Sequence, residues 1–430
     1  MHVVLVADHA YINGGQAKVV VESALGLAAR GHAVTVFAAV GPADPRLAEA
    51  GIAVVLTGQT DVTRTRSLAR FGVQWLWNAP AAAELRGLLA TLDPRESVVH
   101  VHGWAKALSP SIGPVLRTCG VPVVFTMHEY YLACPNGGFY DYQAASVCAR
   151  KPGSLACIGH NCDSRSYARK LMRVGRHWLM QETGLPESPQ AIITISRLQR
   201  EAILPYLPRD ARYAEVGNPI DAEPLGRKGA GTPGDFVFVG RISPEKGPLL
   251  FAEAARRAGL QAVFVGDGPQ AAEIAARYPE ARLLGWKDPA AVKTLMRAAR
   301  ALVFPSVWYE GQPLTVLESL ALGTPVIVSD VCAGREAVRD GVSGLWFRSG
   351  DPDALAASLR RLADDATARA MSDAAYDLFW ADPLTLDRHL DGLEGVYEGL
   401  LRADPASAGD RATAAALRPP AARAAAPRAL

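Results

Sequence analysis

The stretch that decides the reading is Tyr309-Glu310-Gly311-Gln312-Pro313-Leu314-Thr315-Val316-Leu317-Glu318-Ser319, followed by Leu320 to Gly323 and the apolar run Pro325-Val326-Ile327-Val328. Gln312-Pro313 has the form of a helix start, because proline at the first helical position gives up no hydrogen bond it could have made. The N–H groups near Leu314 and Thr315 then lack intrahelical partners and form an anion site. Glu310 falls in the loop just before that site, and Glu318 about one turn into the helix, at the same mouth. The helix is expected to run through Leu317, Leu320 and Leu322 and to stop at Gly323, ahead of a buried strand. A sugar nucleotide has matching needs: N–H donors and cations for its diphosphate, and carboxylates for its ribose and sugar hydroxyls. Taken alone, two carboxylates at this spacing also suit an ordinary buried helix with a polar start.

Upstream, Phe236–Gly240 reads as a strand, followed by Arg241-Ile242-Ser243-Pro244-Glu245-Lys246-Gly247 and a helix. A strand, a glycine, an arginine and a lysine five residues on form a phosphate-site pattern. Arginine offers a planar fork and lysine a point charge. Ala262–Val265 is a further strand, ending in Gly266-Asp267-Gly268-Pro269, which suits either a nucleoside contact or a plain turn. Ala301–Phe304 leads into the opening stretch. Downstream, Asp351-Pro352-Asp353 has the look of a D-x-D metal motif. Asp351 is instead expected to cap a helix whose first residue is Pro352.

The two strings E-G-Q-P-L-T-V-L-E-S-L-A-L-G-T-P-V-I and G-R-x-x-x-x-K-G resemble the donor site of family-4 retaining glycosyltransferases of the GT-B fold. The likeness implies an α/β protein with two Rossmann-like parallel-sheet domains facing a cleft and a C-terminal helix crossing back. It also implies transfer of a sugar from a nucleotide diphosphate sugar (UDP, GDP or dTDP type) to a hydroxyl acceptor, in glycan, polysaccharide or glycolipid biosynthesis. Arg241 and Lys246 would stabilise the departing diphosphate, Glu310 would take the donor sugar's hydroxyls, and Glu318 the ribose. Gly240, Gly266, Gln312, Leu314 and Thr315 complete the expected donor set. No cofactor is expected for catalysis. A GT-B epimerase or a catalytically inactive GT-B scaffold are the alternatives, the first consuming donor without an acceptor.

The first half has the pattern of a parallel sheet as well. Val3–Ala7 is a short strand of the kind buried on both faces. A loop with Asn13-Gly14-Gly15, a helix from about Gln16 to Arg30 and a strand at Ala33–Ala38 make a βαβ unit. The loop lacks G-x-G-x-x-G, so the dinucleotide fingerprint is absent. In the resemblance, Gly15 faces the donor phosphates. Further strands are expected at Val54–Leu56, Val98–Val101, Val121–Thr126 and Ala191–Ser196. Two of them end in polar residues: His100, His102 and Trp104 after one, and Thr126 to Tyr131 after the other. Open α/β sheets bind ligands at such ends. His128 resembles the family's active-site histidine, and His102 and Trp104 are candidates for an acceptor pocket. Asn218-Pro219-Ile220-Asp221 resembles the family's hinge segment, with Pro219 where glycine is more usual.

Length, charge and cysteines bound the rest. With 430 residues, two domains are the default. The expected division is 1–217, a linker 218–234, 235–373, a returning helix 374–403 that includes Phe379-Trp380, and a disordered Ala-, Arg- and Pro-rich tail 404–430. Lys plus Arg total 45 against 43 Asp plus Glu, which gives no footprint for nucleic acid. The start, Met1 to Ala10, reads as a strand rather than a signal peptide. No apolar run reaches the about 20 residues of a membrane span, so a cytoplasmic protein, or one at the inner face of the membrane, is expected. Four of the six cysteines, Cys134, Cys148, Cys157 and Cys162, fall in one Gly-rich insertion. Structural zinc, free thiols and disulfides all remain open for them. Ser164–Met180 carries Arg165, Arg169, Lys170, Arg173 and Arg176 among apolar residues. That is the composition of a helix lying on an anionic membrane over about 165–180, or of a solvated surface helix with one core stripe.

Overall fold

Thirteen short, mostly apolar runs form two parallel sheets. The computed structural model describes residues 1–59, 68–229 and 234–403; the expected tail 404–430 and part of the linker lie outside these. The first sheet contains β1 (His2–His9), β2 (Ala33–Val40), β3 (Ala53–Gln59), β4 (Ser97–Val101), β5 (Val123–Met127), β6 (Ala191–Thr194) and β7 (Arg212–Glu215). The second contains β8 (Phe236–Val239), β9 (Ala262–Val265), β10 (Arg282–Leu283), β11 (Ala301–Phe304), β12 (Val326–Ser329) and β13 (Gly344–Phe347). Their orders are β3-β2-β1-β4-β5-β6-β7 and β10-β9-β8-β11-β12-β13. Central strands are buried on both faces, as at Val3 to Val6, because helices cover each side of a parallel sheet.

Both orders reverse once, between β1 and β4 and between β8 and β11. Such a switch point opens a crevice at the carboxyl ends of the strands, where ligands bind. The loops that fill the crevices are those singled out in the sequence: residues 10–14 after β1, His102 after β4, Gly240-Arg241 after β8 and Pro305–Glu310 after β11.

Four helices position the site. They are α1 (Gly15–Ala29), α2 (Tyr167–Glu182), α3 (Leu314–Ala321) and α4 (Leu386–Leu401). Pro313 caps α3 instead of opening it as its first residue, a shift of one position that leaves the anion site intact. Gly323 follows with φ +69, the left-handed stop expected there. Asp351 caps the helix Pro352–Ala363 by accepting from the N–H groups of Asp353 and Ala354, so it is a cap and not half of a D-x-D site.

The returning segment needs correcting. Phe379 and Trp380 stay in the second domain. Phe379 packs in its core, and Trp380 Nε1 donates to the Ala321 carbonyl. Their helix ends at Ala381, and the helix that packs on the first domain is α4. Leu390, Leu393, Tyr397 and Leu400 are its buried stripe. Burial of each is worth about 1.5–3 kcal/mol as an upper bound. Gly26 makes room for this contact: a Cβ there would fall 2.6 Å from Leu390 Cδ1, which explains a glycine inside a helix at a propensity cost of about 1 kcal/mol. His389 fixes the crossing by bonding Ser23 Oγ at 3.0 Å and the Gly217 carbonyl at 2.8 Å.

Candidate active site

The second-domain wall is built around Glu310. Its Oε1 receives Lys246 Nζ, Trp308 Nε1 (2.6 Å) and Ser306 Oγ (3.1 Å). The lysine and glutamate side chains are 23% and 11% exposed. Arg241 extends toward solvent and bonds Glu245, whose buried carboxylate also takes Ser243 Oγ at 2.7 Å. Glu245 thus orients the loop carrying both cations, although the sequence pattern passed it over. Gly240 and Gly266 meet beneath the loop. A Cβ on Gly266, where φ is +135, would lie 2.0 Å from the Gly240 carbonyl oxygen, so only glycine fits.

At the start of α3 the N–H groups of Leu314 and Thr315 precede the first intrahelical bonds, since Val316 already donates to the Pro313 carbonyl. The Gly14-Gly15 loop arrives from the other domain, with Gly15 placed so that a Cβ would sit 3.6 Å from Leu314 Cδ1. Glu318 is half-buried, and burial raises its carboxyl above the usual range against the pull of Lys18 and Lys293. Lys18, one turn into α1, is a further cation that sequence reasoning missed. Gln312 is hydrogen-bonded to the segment that joins the two domains. Its Oε1 accepts the Asn218 N–H at 2.6 Å, and it lines a cavity of about 360 Å³ behind the hinge with Glu215, Gly217, Glu336 and His389. It ties the donor motif to the hinge.

The first-domain wall is a histidine stack. His102 Nδ1 and His128 Nε2 are 3.0 Å apart with stacked rings, and His100 bonds Thr126 Oγ1 and the Tyr397 hydroxyl beneath them. Burial pushes His128 down to about 3 and holds His100 and His102 well below the ordinary histidine value. All three are therefore neutral at pH 7, and one ring nitrogen of the His102–His128 pair donates to the other. Asp8 at the end of β1 was not anticipated. Its buried carboxylate accepts from the N–H groups of Lys106, Ala107 and Leu108 and shapes the loop after His102. Asp8, Gln16, His102, Trp104, His128 and Glu129 line one small pocket, so the structure brings both acceptor candidates beside His128.

The insertion reaches across to the donor motif. A Cβ on Gly138 would lie 3.0 Å from the Trp308 ring, and the rings of Phe139 and Tyr130 lie 6.4 and 6.5 Å from that of Tyr309. All six cysteines are unpaired, so the structure contains no disulfide. Among the described residues no three His, Cys, Asp or Glu side chains are grouped to hold a metal, so Cys134, Cys148, Cys157 and Cys162 do not make a zinc sphere as they stand. The basic helix divides its cations, Arg169 facing solvent and two others facing inward. Lys170 and Arg176 are buried, while Tyr167, Leu171, Met172 and Trp178 are exposed. Arg176 stacks on Trp75, Trp104 and Tyr131, with its guanidinium carbon 4.0, 5.5 and 5.4 Å from the ring centres. Among the described residues no helix is long and apolar enough to cross a membrane.

These walls belong to a glycosyltransferase. Residues 14–219 match a glycosyl transferase 4-like domain and residues 233–365 match glycosyl transferases group 1, so the chain is a member of that family. It is 28% identical over 417 residues to a D-inositol 3-phosphate glycosyltransferase of Mycolicibacterium paratuberculosis, covering 90% of this chain and 86% of that one. It is 32% identical over 151 residues to the Escherichia coli UDP-Gal:alpha-D-GlcNAc-diphosphoundecaprenol alpha-1,3-galactosyltransferase, covering 32% of this chain and 38% of that one. Among solved structures, Anabaena HepE in complex with UDP-glucose superposes with a TM-score of 0.63 at 16% identity, over 93% of this chain and all of that one. The architecture is GT-B.

Proposed function

We propose that the protein transfers a hexose, with retention at the anomeric carbon, from a nucleoside diphosphate sugar to a hydroxyl acceptor in glycan, polysaccharide or glycolipid biosynthesis. The observation that carries this reading is the Lys246–Glu310 pair set directly before the N-terminus of α3, with Arg241, held by Glu245 and open to solvent, on one side and Glu318 one turn on. An arriving diphosphate competes for Lys246. Once the ammonium turns to phosphate, Glu310 is released to accept from the sugar's hydroxyls. Arg241, Lys246 and the N–H groups of Leu314 and Thr315 take the charge that develops on the leaving group, a role for which no metal is needed. Glu318 holds the ribose. Neutral His128, fixed by His102, lines the sugar's other face.

A uridine donor has the most support, from the UDP-glucose complex of HepE and the UDP-Gal of the Escherichia coli relative. Retention rests on the resemblance of the donor motifs. A front-face departure, in which the leaving phosphate helps deprotonate the acceptor, fits a site whose nearest carboxylates are engaged in donor binding. A cytoplasmic location at the inner membrane face goes with this reading. There the exposed Tyr167, Leu171, Met172 and Trp178, flanked by exposed Arg165 and Arg169, rest on anionic lipid.

The experiment is donor turnover with UDP-, GDP-, ADP- and dTDP-hexoses, with and without sugar and lipid-linked acceptors, the product's anomeric configuration being read by NMR. Release of nucleoside diphosphate that depends on an acceptor, with the α configuration kept from an α donor, is expected. Donor consumed equally without acceptor, or an inverted product, defeats the proposal. For the membrane contact, anionic vesicles at low salt should carry the protein down on sedimentation; protein left wholly in the supernatant rejects that part.

A further inference from the structure

The cysteine-rich insertion is organised around an ammonium. Lys170, in the first turn of α2, has no exposed surface. Its Nζ lies 3.4 Å from Cys157 Sγ, and Cys162 and Cys134 are its other electrostatic neighbours. Cys162 Sγ also receives Asn136 Nδ2 at 3.2 Å. The nearby acids are committed elsewhere: Asp141 to Arg150 and His160, and Asp163 to Arg173. Among the described residues no carboxylate lies within ion-pair distance of Lys170. A buried lysine is ordinarily paired with a carboxylate. Here sulfur takes that place. A positive charge among the thiols also opposes a dication, in keeping with the absence of a metal-holding group among the described residues.

We propose that Lys170 and Cys157 are an oxidative modification site, joined by dioxygen into an oxygen-bridged Nζ–O–Sγ crosslink. The geometry supplies what the step needs: an amine nitrogen and a thiol sulfur held in contact inside the protein, with no other residue between them. The pair reacts as amine and thiol, which together hold the same three hydrogens as an ammonium and a thiolate, so no proton has to leave the buried lysine for solvent. Then the Sγ–O and Nζ–O bonds form, the S–H bond and one N–H bond break, and the O–O bond breaks. The second oxygen leaves with the two hydrogens as water. Sulfur and nitrogen are oxidised, and dioxygen is reduced by four electrons. Two molecules of dithiothreitol return the four electrons and release free lysine, free thiol and a second water.

The consequence reaches the active site. The bridge ties the helix Leu155–Ile158 of the insertion to α2. The same insertion packs on Trp308 and Tyr309 of the donor motif, and α2 carries the Arg176 that stacks on Trp104 and Tyr131 of the acceptor-side pocket. The crosslink fixes these two surfaces relative to one another.

The test is intact-mass and peptide-mapping spectrometry of the full chain, purified under dithiothreitol and then either kept reduced or moved to air-saturated buffer. The expected result is a mass gain of one oxygen less two hydrogens in air. It should map to the linked Cys157 and Lys170 peptides with no tryptic cleavage after Lys170, and dithiothreitol should reverse it. Cys119→Ser should keep the gain and Cys157→Ser should lose it. An unchanged mass, a loss of two hydrogens alone (a disulfide), a metal ion retained in the native spectrum, or a gain that persists in Cys157→Ser overturns the proposal. The wild-type mapping decides the matter even if a variant fails to fold.

Discussion

Replacing Lys246 by alanine separates the two things this residue does. In the resting protein it neutralises Glu310, which is 11% exposed. Removing one partner of a fully buried ion pair costs about 3–5 kcal/mol. The cost here is smaller, about 1–2 kcal/mol, because Glu310 keeps Trp308 Nε1 and Ser306 Oγ and the lysine end is partly solvated. A domain with a stability of about 5–15 kcal/mol survives that. In the proposed reaction the same ammonium faces the developing diphosphate charge. A single preorganised donor in that position is worth about 2.7–4 kcal/mol, or about 10²–10³ in kcat. The assay is nucleoside diphosphate release under saturating donor, with melting followed in parallel. The expected variant is folded, melts a few degrees lower and turns over at least about a hundredfold slower. A folded variant with kcat within about fivefold of wild type refutes the assignment.

Glu318→Gln should weaken donor binding about 10- to 100-fold with a smaller effect on kcat, the loss expected for a hydrogen bond to a charged group; titration calorimetry with nucleoside diphosphate measures it. Because burial holds the Glu318 carboxyl above the usual range, donor affinity should fall as acid protonates it, and Glu318→Gln should flatten that limb of the profile. The same raised value means the folded state binds this proton more tightly than the unfolded one, so this group's contribution to stability declines as pH rises through its range. His128 has the opposite sign. It is held down to about 3 when folded, so its contribution is complete above the unfolded value of about 6.5 and is lost as pH falls below it, by about 1–2 kcal/mol at pH 5. Melting curves of wild type and His128→Asn between pH 7 and 5 should converge toward acid; parallel curves count against a histidine held neutral by its surroundings. Gly266→Ala should cost about 1–3 kcal/mol or more and impair nucleotide binding, because the new Cβ meets the Gly240 carbonyl; unchanged melting and affinity would show that the two loops part easily.

The donor half was legible because its chemistry is local in sequence. The cations, the helix start and both carboxylates lie in two strings, and the apolar runs that frame them are short, continuous and glycine-ended. Gly266 illustrates the limit. A turn and a ligand loop share its sequence, and only the approach of Gly240 shows why glycine is required. Gln312 sat inside the right motif but turned to the hinge, since side-chain direction at a helix start depends on what packs behind it. Glu245 was visible between Arg241 and Lys246, yet its role depends on burial that no local pattern reports. The first-domain wall drew on distant residues. Asp8 reaches a loop about a hundred positions away, and Tyr397 closes the histidine stack from α4. In α2 two of the cations turned inward because aromatic rings from three other segments supplied a cage for Arg176 and thiols surrounded Lys170. The sequence reading placed those charges on a membrane surface or in solvent, not in the interior.

The donor cleft is tested most directly by a thermal-shift panel of the full chain with UDP, GDP, ADP and dTDP, repeated in an Arg241→Ala, Lys246→Ala double variant. One nucleotide, expected to be UDP, should raise the midpoint of the wild-type protein, by the equivalent of about 2.7 kcal/mol at a hundredfold excess over its Kd, and should do so far less in the double variant. No shift with any of the four, or a shift that the double variant keeps in full, would contradict a diphosphate site built from Arg241, Lys246 and the start of α3.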